Sequence, residues 1–375
     1  MGVSAAKLDD LLARARRDVD EGTLPSCQVA VGLRGEVVAF EAFGDATPDT
    51  RYSVFSCTKP IVASAAWVLM GDGRLDVARP VADYVPEFAT NGKHVVTVEQ
   101  LLLHTSGFPS ETLMPPEWDT REGRLAAFAA WKLKWAPGTA FEYHPTSAHW
   151  VLAEVIERVA GCDFRDAVQR LVTEPAGLRG RVLGLGLGPG DQDGIAAMQV
   201  RGSPATPDEL EAAIGVRELP SSEVTDAALL GFNRPDVRAV GVPGAGGVMR
   251  AADLALFYQR LLHDPDGIWD PVVLADATGT VHNSFGDLLF SMPANRTRGL
   301  VQAGGDGMSF LRGFGSSVSP GAFGHNGAAG QVAWADPASG LSFAYVTNGI
   351  DAHVIRQFRR GMSLSTRAGT LTDPD

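Results

Sequence analysis

The chain has 375 residues, a net charge of −12, 45% hydrophobic and 20% charged residues, which is ample sequence to bury a core unaided. Its acidic balance and dispersed basic residues argue against a nucleic-acid partner. The longest apolar run, IVASAAWVLM at 61–70, is well short of the ~18 to 20 residues a membrane span needs, so no membrane role is expected.

From the N-terminus, Leu8, Leu11, Leu12 and Ala15 recur at helical spacing among charges. The pattern predicts an amphipathic first helix and not a secretion signal. Residues 28–43, QVAVGLRGEVVAFEAF, read as two strands around a turn at Leu33-Arg34-Gly35. FSCTKP at 55–60 opens a helical stretch from Ile61 to Met70, stopped by Gly71-Asp72-Gly73. TSAHWVLAEVIERVAG is an amphipathic helix closed by Gly161, with Thr146 or Ser147 as its cap. Residues 180–225 are weakly patterned and read as loops flanking a site. AADLALFYQRLL is a further helix after the Gly-rich VPGAGGVM, and GQVAWADPASGLSFAYVTNG gives strand, turn and strand before a last helix from about Asp351 to Met362. Strands at both chain ends enclose a middle of helices and irregular loops. The expected architecture is therefore α+β, with residues 1–75 and 240–375 forming a sheet domain and 76–239 a mainly helical insertion. Cys27, Cys57 and Cys162 are too scattered for a disulfide framework or a metal-ligand spacing. They suggest a reducing, cytoplasmic setting.

Several familiar chemistries are missing. No serine has glycine two residues before and two after it, so there is no nucleophile elbow. The glycine clusters near 184–190 and 244–247 fit neither nucleotide-binding pattern, and no His-Glu-x-x-His occurs. No cofactor and no metal is expected, with His144 and His149 read as a loop residue and a packed helix residue.

What remains is Ser56 and Lys59, three positions apart where a helix begins. That spacing puts both on one helical face, the amine within reach of the hydroxyl. A lysine at its reference pKa of ~10.4 cannot take the serine proton. Burial at a helix N-terminus penalises its charged form, lowers that value and favours the developing alkoxide. Taken alone, Ser-x-x-Lys is equally compatible with a helix start followed by a solvated lysine.

FSCTKP, LLLHTSGFP at 101–109, FEYHPTSAHWVLAEVIERVAG, VPGAGGVMRAADLALFYQRLL and FGHNGAAGQVAWADPASGLSFAYVTNG occur in an order and with spacings that resemble the serine β-lactamase-like superfamily. The likeness is to its class C-related branch, which includes family VIII carboxylesterases and related acyltransferases, and it covers nearly the whole chain. It implies a β-lactamase/penicillin-binding-protein-like fold, an antiparallel sheet flanked by helices plus a mostly helical domain. It also implies a second-motif tyrosine, Tyr143, as general base with Lys59 holding its charge down, although lysine-first activation stays open because the two titrate together. The third motif falls on His325-Asn326-Gly327, where the family β-lactamases have Lys-Thr-Gly. By the same likeness the amides of Ser56 and Ala328 form the oxyanion hole, Gly327 lets substrate approach the strand backbone, and His325 can donate towards Tyr143 or the leaving group.

Two departures bear on substrate. No lysine follows Lys134, and Pro145 stands where the β-lactamases have asparagine two residues after the tyrosine. Both favour ester cleavage over antibiotic hydrolysis. Trp118, Trp131, Trp135 and Pro115-Pro116 crowd one region, as core or as apolar pocket walls. His104 is assigned to holding a turn. The expectation is a serine carboxylesterase, or an acyltransferase, acting on small to medium apolar carboxylic esters through a Ser56 acyl-enzyme. The rivals are a β-lactamase or D-amino-acid peptidase on the same serine, and a silent binder of an acyl ligand or partner protein.

Overall fold

The computed structural model describes residues 2–178, 184–219, 223–287 and 292–372. Its elements in chain order are α1 (Ala5–Asp20), β1 (Ser26–Leu33), β2 (Glu36–Gly44), α2 (Thr58–Gly71), α3 (Ser147–Ala160), α4 (Ala251–His263), β3 (Val301–Gln302), β4 (Phe323–Gly324), β5 (Val332–Asp336), β6 (Leu341–Thr347) and α5 (Val354–Ala368), with shorter helices and turns between. Six strands form one sheet in the order β2-β1-β6-β5-β4-β3, and every neighbouring pair runs antiparallel. The fold is α+β, as expected.

Strand alternation divides the core. Val29, Val31, Trp334, Phe343 and Tyr345 point to the face covered by α1 and α5, while Ala30, Ala333, Ala335, Ala344 and Val346 point to the other. Small residues dominate that second face, so α4 lies close against it. At Gly32 a Cβ would stand 2.3 Å from Ser342 Oγ and 2.6 Å from Gln259 Cγ, which only glycine avoids. Beyond α4, helix α2 is buried along almost its whole length and packs against α3. None of the described helices is long and apolar enough to cross a membrane.

Two local expectations need correcting. Neither Thr146 nor Ser147 caps α3 through its side chain. Ser147 Oγ instead donates to Phe108 O at 3.0 Å, tying the helix start to the LLLHTSGFP loop. The last helix starts at Val354, not near Asp351, because Gly349–Asp351 is a short strand paired with Gln199–Arg201. The Asp351 carboxylate then accepts from His353 N and from Arg356, which holds the turn into α5. Part of the weakly patterned 180–225 stretch, residues 180–183 and 220–222, lies outside the described residues.

Candidate active site

Ser56 sits in a one-turn 3₁₀ helix, Phe55–Cys57, that runs directly into α2. Phe55 holds φ at +47°, a left-handed conformation unusual for a phenylalanine. The turn keeps that shape because it is fastened on both sides. Thr58 Oγ1 donates to Phe55 O at 2.6 Å and accepts from Gly247 N at 2.9 Å. Val54 N donates to Gly247 O at 2.9 Å, and Tyr52–Ser53 pair with Val248–Met249. The Gly-rich VPGAGGVM stretch is thus the clamp on the nucleophile turn.

One helical turn along, Lys59 is fully buried, and its Nζ lies 3.2 Å from Ser56 Oγ. It donates to Pro145 O at 2.7 Å and to Gly244 O at 2.8 Å. Burial drives the amine well below 10.5, and the neighbouring Arg296 charge drives it further. Nζ also donates to Ser56 Oγ, so three acceptors surround it, and its lowered value eases loss of the proton that would open a lone pair to the serine hydroxyl. Gly244 matters for the close approach, since a Cβ there would lie 3.3 Å from Nζ and 3.1 Å from Pro145 O. Pro145, which offers no side-chain donor, contributes its backbone carbonyl.

Tyr143 completes the group, its hydroxyl donating to Ser56 Oγ at 2.9 Å. Burial pushes this phenol up to about 12, against the opposing pull of Arg296 and of the Ser56 hydrogen bond. The structure therefore brings Ser56, Lys59 and Tyr143 together. Ser56 and Tyr143 are half-buried at the mouth while Lys59 lies beneath them.

On the opposite wall, β4 continues into His325-Asn326-Gly327 and a 3₁₀ turn, Ala328–Gly330. Ser56 and Ala328 both fall in the first turn of their short helices, where N–H groups have no intrahelical acceptor. Ala329 has φ of +56°, mirroring Phe55.

The third motif departs from expectation residue by residue. A Cβ on Gly327 would stand 2.2 Å from Val54 O, so the backbone leading into the nucleophile turn already requires glycine here. Asn326 directs its side chain away from the cleft, Oδ1 accepting from Ala333 N at 3.3 Å and Nδ2 lying against Gly313. His325 is buried, and its Nδ1 donates to Asn326 O at 2.8 Å. Its bare Nε2 faces Arg296 Nη1 at 3.4 Å. With both nitrogens committed, and burial and Arg296 holding it neutral, it donates nothing towards Tyr143.

The remaining candidates sort by burial. Trp118 and Trp131 are core residues packed on Trp150 and on Phe108 and Phe128, and are not cleft walls. Trp135 is half-buried against His144. His104 does accept from His144 N at 3.2 Å, holding its turn, but its ring also lies 4.8 Å from that of Tyr143 and 5.8 Å from that of His149. His144 donates from Nδ1 to Glu142 O, and burial takes it down to about 3. Beside the nucleophile turn, Phe55, Met198, Leu229, Ala329 and Ile350 form an apolar cluster bordered by Phe232 and Ala328. Among the described residues no group of three or more His, Cys, Asp or Glu is arranged to hold a metal ion.

Arg296 was absent from the residues the sequence singled out. It lies in an irregular stretch before β3, and no periodicity or motif marks it.

This arrangement has relatives. The chain is 32% identical over 203 residues to the esterase EstB of Burkholderia gladioli, a match covering 47% of this chain and half the length of EstB. A penicillin-binding protein homologue from Caulobacter crescentus superposes with a TM-score of 0.78 at 28% identity, covering 99% of both chains. A family VIII carboxylesterase gives a TM-score of 0.77 at 26% identity, covering 98% of this chain and 99% of the other. The family model described as Beta-lactamase matches residues 11–360. With the fold, the serine–lysine–tyrosine cluster and this match over nearly its whole length, the chain belongs to the Beta-lactamase family.

Proposed function

We infer that the protein is a serine carboxylesterase that works through an acyl-enzyme on Ser56. The observation that carries this reading is the setting of Lys59, buried with no carboxylate in ion-pair reach among the described residues, its Nζ donating to two carbonyls and lying 3.2 Å from Ser56 Oγ. As Oγ attacks the ester carbonyl carbon, its proton passes to Nζ. The tetrahedral oxygen takes its negative charge against the N–H groups of Ser56 and Ala328, donors typically worth about 3 kcal/mol each in the transition state. The carbon–oxygen bond to the alcohol then breaks while the Tyr143 phenol donates its proton to the departing oxygen. The phenolate recovers a proton from the Lys59 ammonium, whose Nζ lies 4.9 Å from the centre of the Tyr143 ring. Water, or a second alcohol, attacks the acyl carbon by the same steps in reverse and frees Ser56.

This assigns the base to Lys59 and the leaving-group proton to Tyr143, the lysine-first option that the sequence left open. A phenol held up to about 12 is better placed to donate than to abstract. For substrate, the cluster of Phe55, Met198, Leu229 and Ile350 beside the nucleophile supports an apolar acyl group. The esterase names of the relatives point the same way, and the lack of a third-motif lysine argues against a β-lactam carboxylate as the anchor.

The direct test is Ser56→Ala with a short-chain nitrophenyl ester. Turnover is expected to fall by about three orders of magnitude or more. A fluorophosphonate should add mass to the native chain and not to the variant. Undiminished ester turnover by the folded variant removes the reading. Nitrocefin and D-alanyl peptides assayed alongside separate the sister activities, and a protein that only binds acyl ligands gains no mass.

A further inference from the structure

We propose that Arg296 is a positioning residue whose fixed positive charge, laid over the Tyr143 ring and against His325, keeps the Ser56–Lys59–Tyr143 cluster in its proton-accepting form. The inference rests on the acyl-enzyme reading above and adds the part that makes it work near neutral pH.

The geometry comes first. The Arg296 guanidinium carbon lies 5.0 Å from the centre of the Tyr143 ring and 5.3 Å from that of Phe141, and Nη1 stands 3.4 Å from His325 Nε2. The residue is only 8% exposed, so it does not project into the cleft as an anchor for substrate anions. Its Nε is buried with no hydrogen-bond partner among the described residues. Arginine keeps its charge where lysine or histidine would surrender it.

The groups around it explain what that charge does. Lys59 comes from the nucleophile segment, His104 from its tight turn, Tyr143 and His144 from the loop entering α3, His149 from the first turn of α3, and His325 from the opposite wall. Among the described residues, the carboxylate that acts on Arg296 is that of Asp287. The histidines are buried and neutral, so they screen little. Lys59 and Arg296 share this dry region, and two cations there repel, which leaves the lysine to give up its proton. The same charge favours a phenolate at Tyr143, against the penalty of its burial. Whichever of the two holds the proton, a fixed cation favours its loss, so the sign of the effect does not depend on the assignment.

The test compares native enzyme, Arg296→Gln and Arg296→Lys in the pH dependence of kcat/KM for a nitrophenyl ester, with fluorophosphonate labelling of Ser56 as a second readout. Arg296→Gln should move the acidic limb up by about one to two pH units. Its labelling rate should follow the same shift. Arg296→Lys, whose buried amine surrenders its charge more readily than a guanidinium, should leave the limb between those of native enzyme and Arg296→Gln. A limb that stays within about 0.3 unit of native in folded Arg296→Gln, or a loss confined to KM, overturns the inference. Native protein that fails to label at Ser56 sinks the acyl-enzyme reading and takes this one with it, whereas labelling with an unmoved limb sinks only this one. Should Arg296→Gln not fold, the ¹⁵N resonances of His325 in native enzyme decide. They should show Nδ1 protonated and Nε2 bare through neutral and mildly acidic pH. A ring that gains a proton near its ordinary value of about 6.5 overturns the inference.

Discussion

Lys59 is one of the most consequential residues in the protein because its charge state is decided by burial and not by a partner acid. Burial and Arg296 put its folded value well below 10.5. Between that lowered value and 10.5 the unfolded chain binds a proton that the native state does not, so stability rises with pH across this window and is reduced below it. Lys59→Met should lose that slope in urea unfolding measured from neutral to alkaline pH. Lys59→Arg retains a cation that cannot deprotonate, and should be as inactive in ester turnover as Ser56→Ala. A pH–stability curve for Lys59→Met that parallels the native one would mean the native lysine is charged. Ser56 and Lys59 were legible in the sequence as a spacing on one helical face. Tyr143 came only through resemblance, and Arg296 was not legible at all, because its role arises from contacts between an irregular stretch, α3's entry loop and the far end of the sheet.

Two short helical turns built at unrelated points of the chain, Phe55–Cys57 and Ala328–Gly330, face each other across the cleft and are kept in register by Gly327. Gly327→Ala would set a methyl 2.2 Å from Val54 O, so the walls must part. Separating the two proposed oxyanion donors by a fraction of an ångström is expected to cost about 10²-fold in kcat, with smaller change in KM. Steady-state kinetics on the purified variant, with circular dichroism confirming the fold, checks this; native kcat would show that the strand edge tolerates the displacement. Sequence periodicity recovered the long elements such as α1, α3 and the β1–β2 hairpin. It missed the one-turn helices, since three residues carry no period. It also misplaced the start of α5, where tertiary hydrogen bonds to Asp351 override local helical preference.

At the scale of the molecule, the six strands come only from residues 26–44 and 301–347, with the predominantly helical stretch between them. That supports our proposal that 1–75 with 240–375 and 76–239 are the two units of the chain. The chain ends are joined by a buried ion network. Arg360 of α5 bonds Asp18 of α1 at 3.1 Å and Asp351 at 2.7 Å. Burial alone would raise Asp351, but the hydrogen bonds from Arg356 and Arg360 outweigh it and hold the carboxyl below 3.8. Its contribution is therefore present above pH ~4 and is lost as pH falls through the lower folded value. Arg360→Met leaves two acids short of a partner and should cost about 3–5 kcal/mol in urea unfolding at neutral pH. A cost under about 1 kcal/mol would mean that water reaches the pair.

The amino-acid sequence by itself determined the α+β class, the amphipathic helices and the placement of a hydroxyl and an amine one helical turn apart, since each follows from residue spacing along a local backbone. Tertiary structure alone decided what surrounds the reacting groups. The carbonyls of Pro145 and Gly244 that bond Lys59, the guanidinium of Arg296 over Tyr143 and the backbone of Val54 against Gly327 meet across separations of 86 to 273 residues. Burial, hydrogen-bond saturation and Coulomb fields depend on distance in space, and distance along the chain carries no record of them.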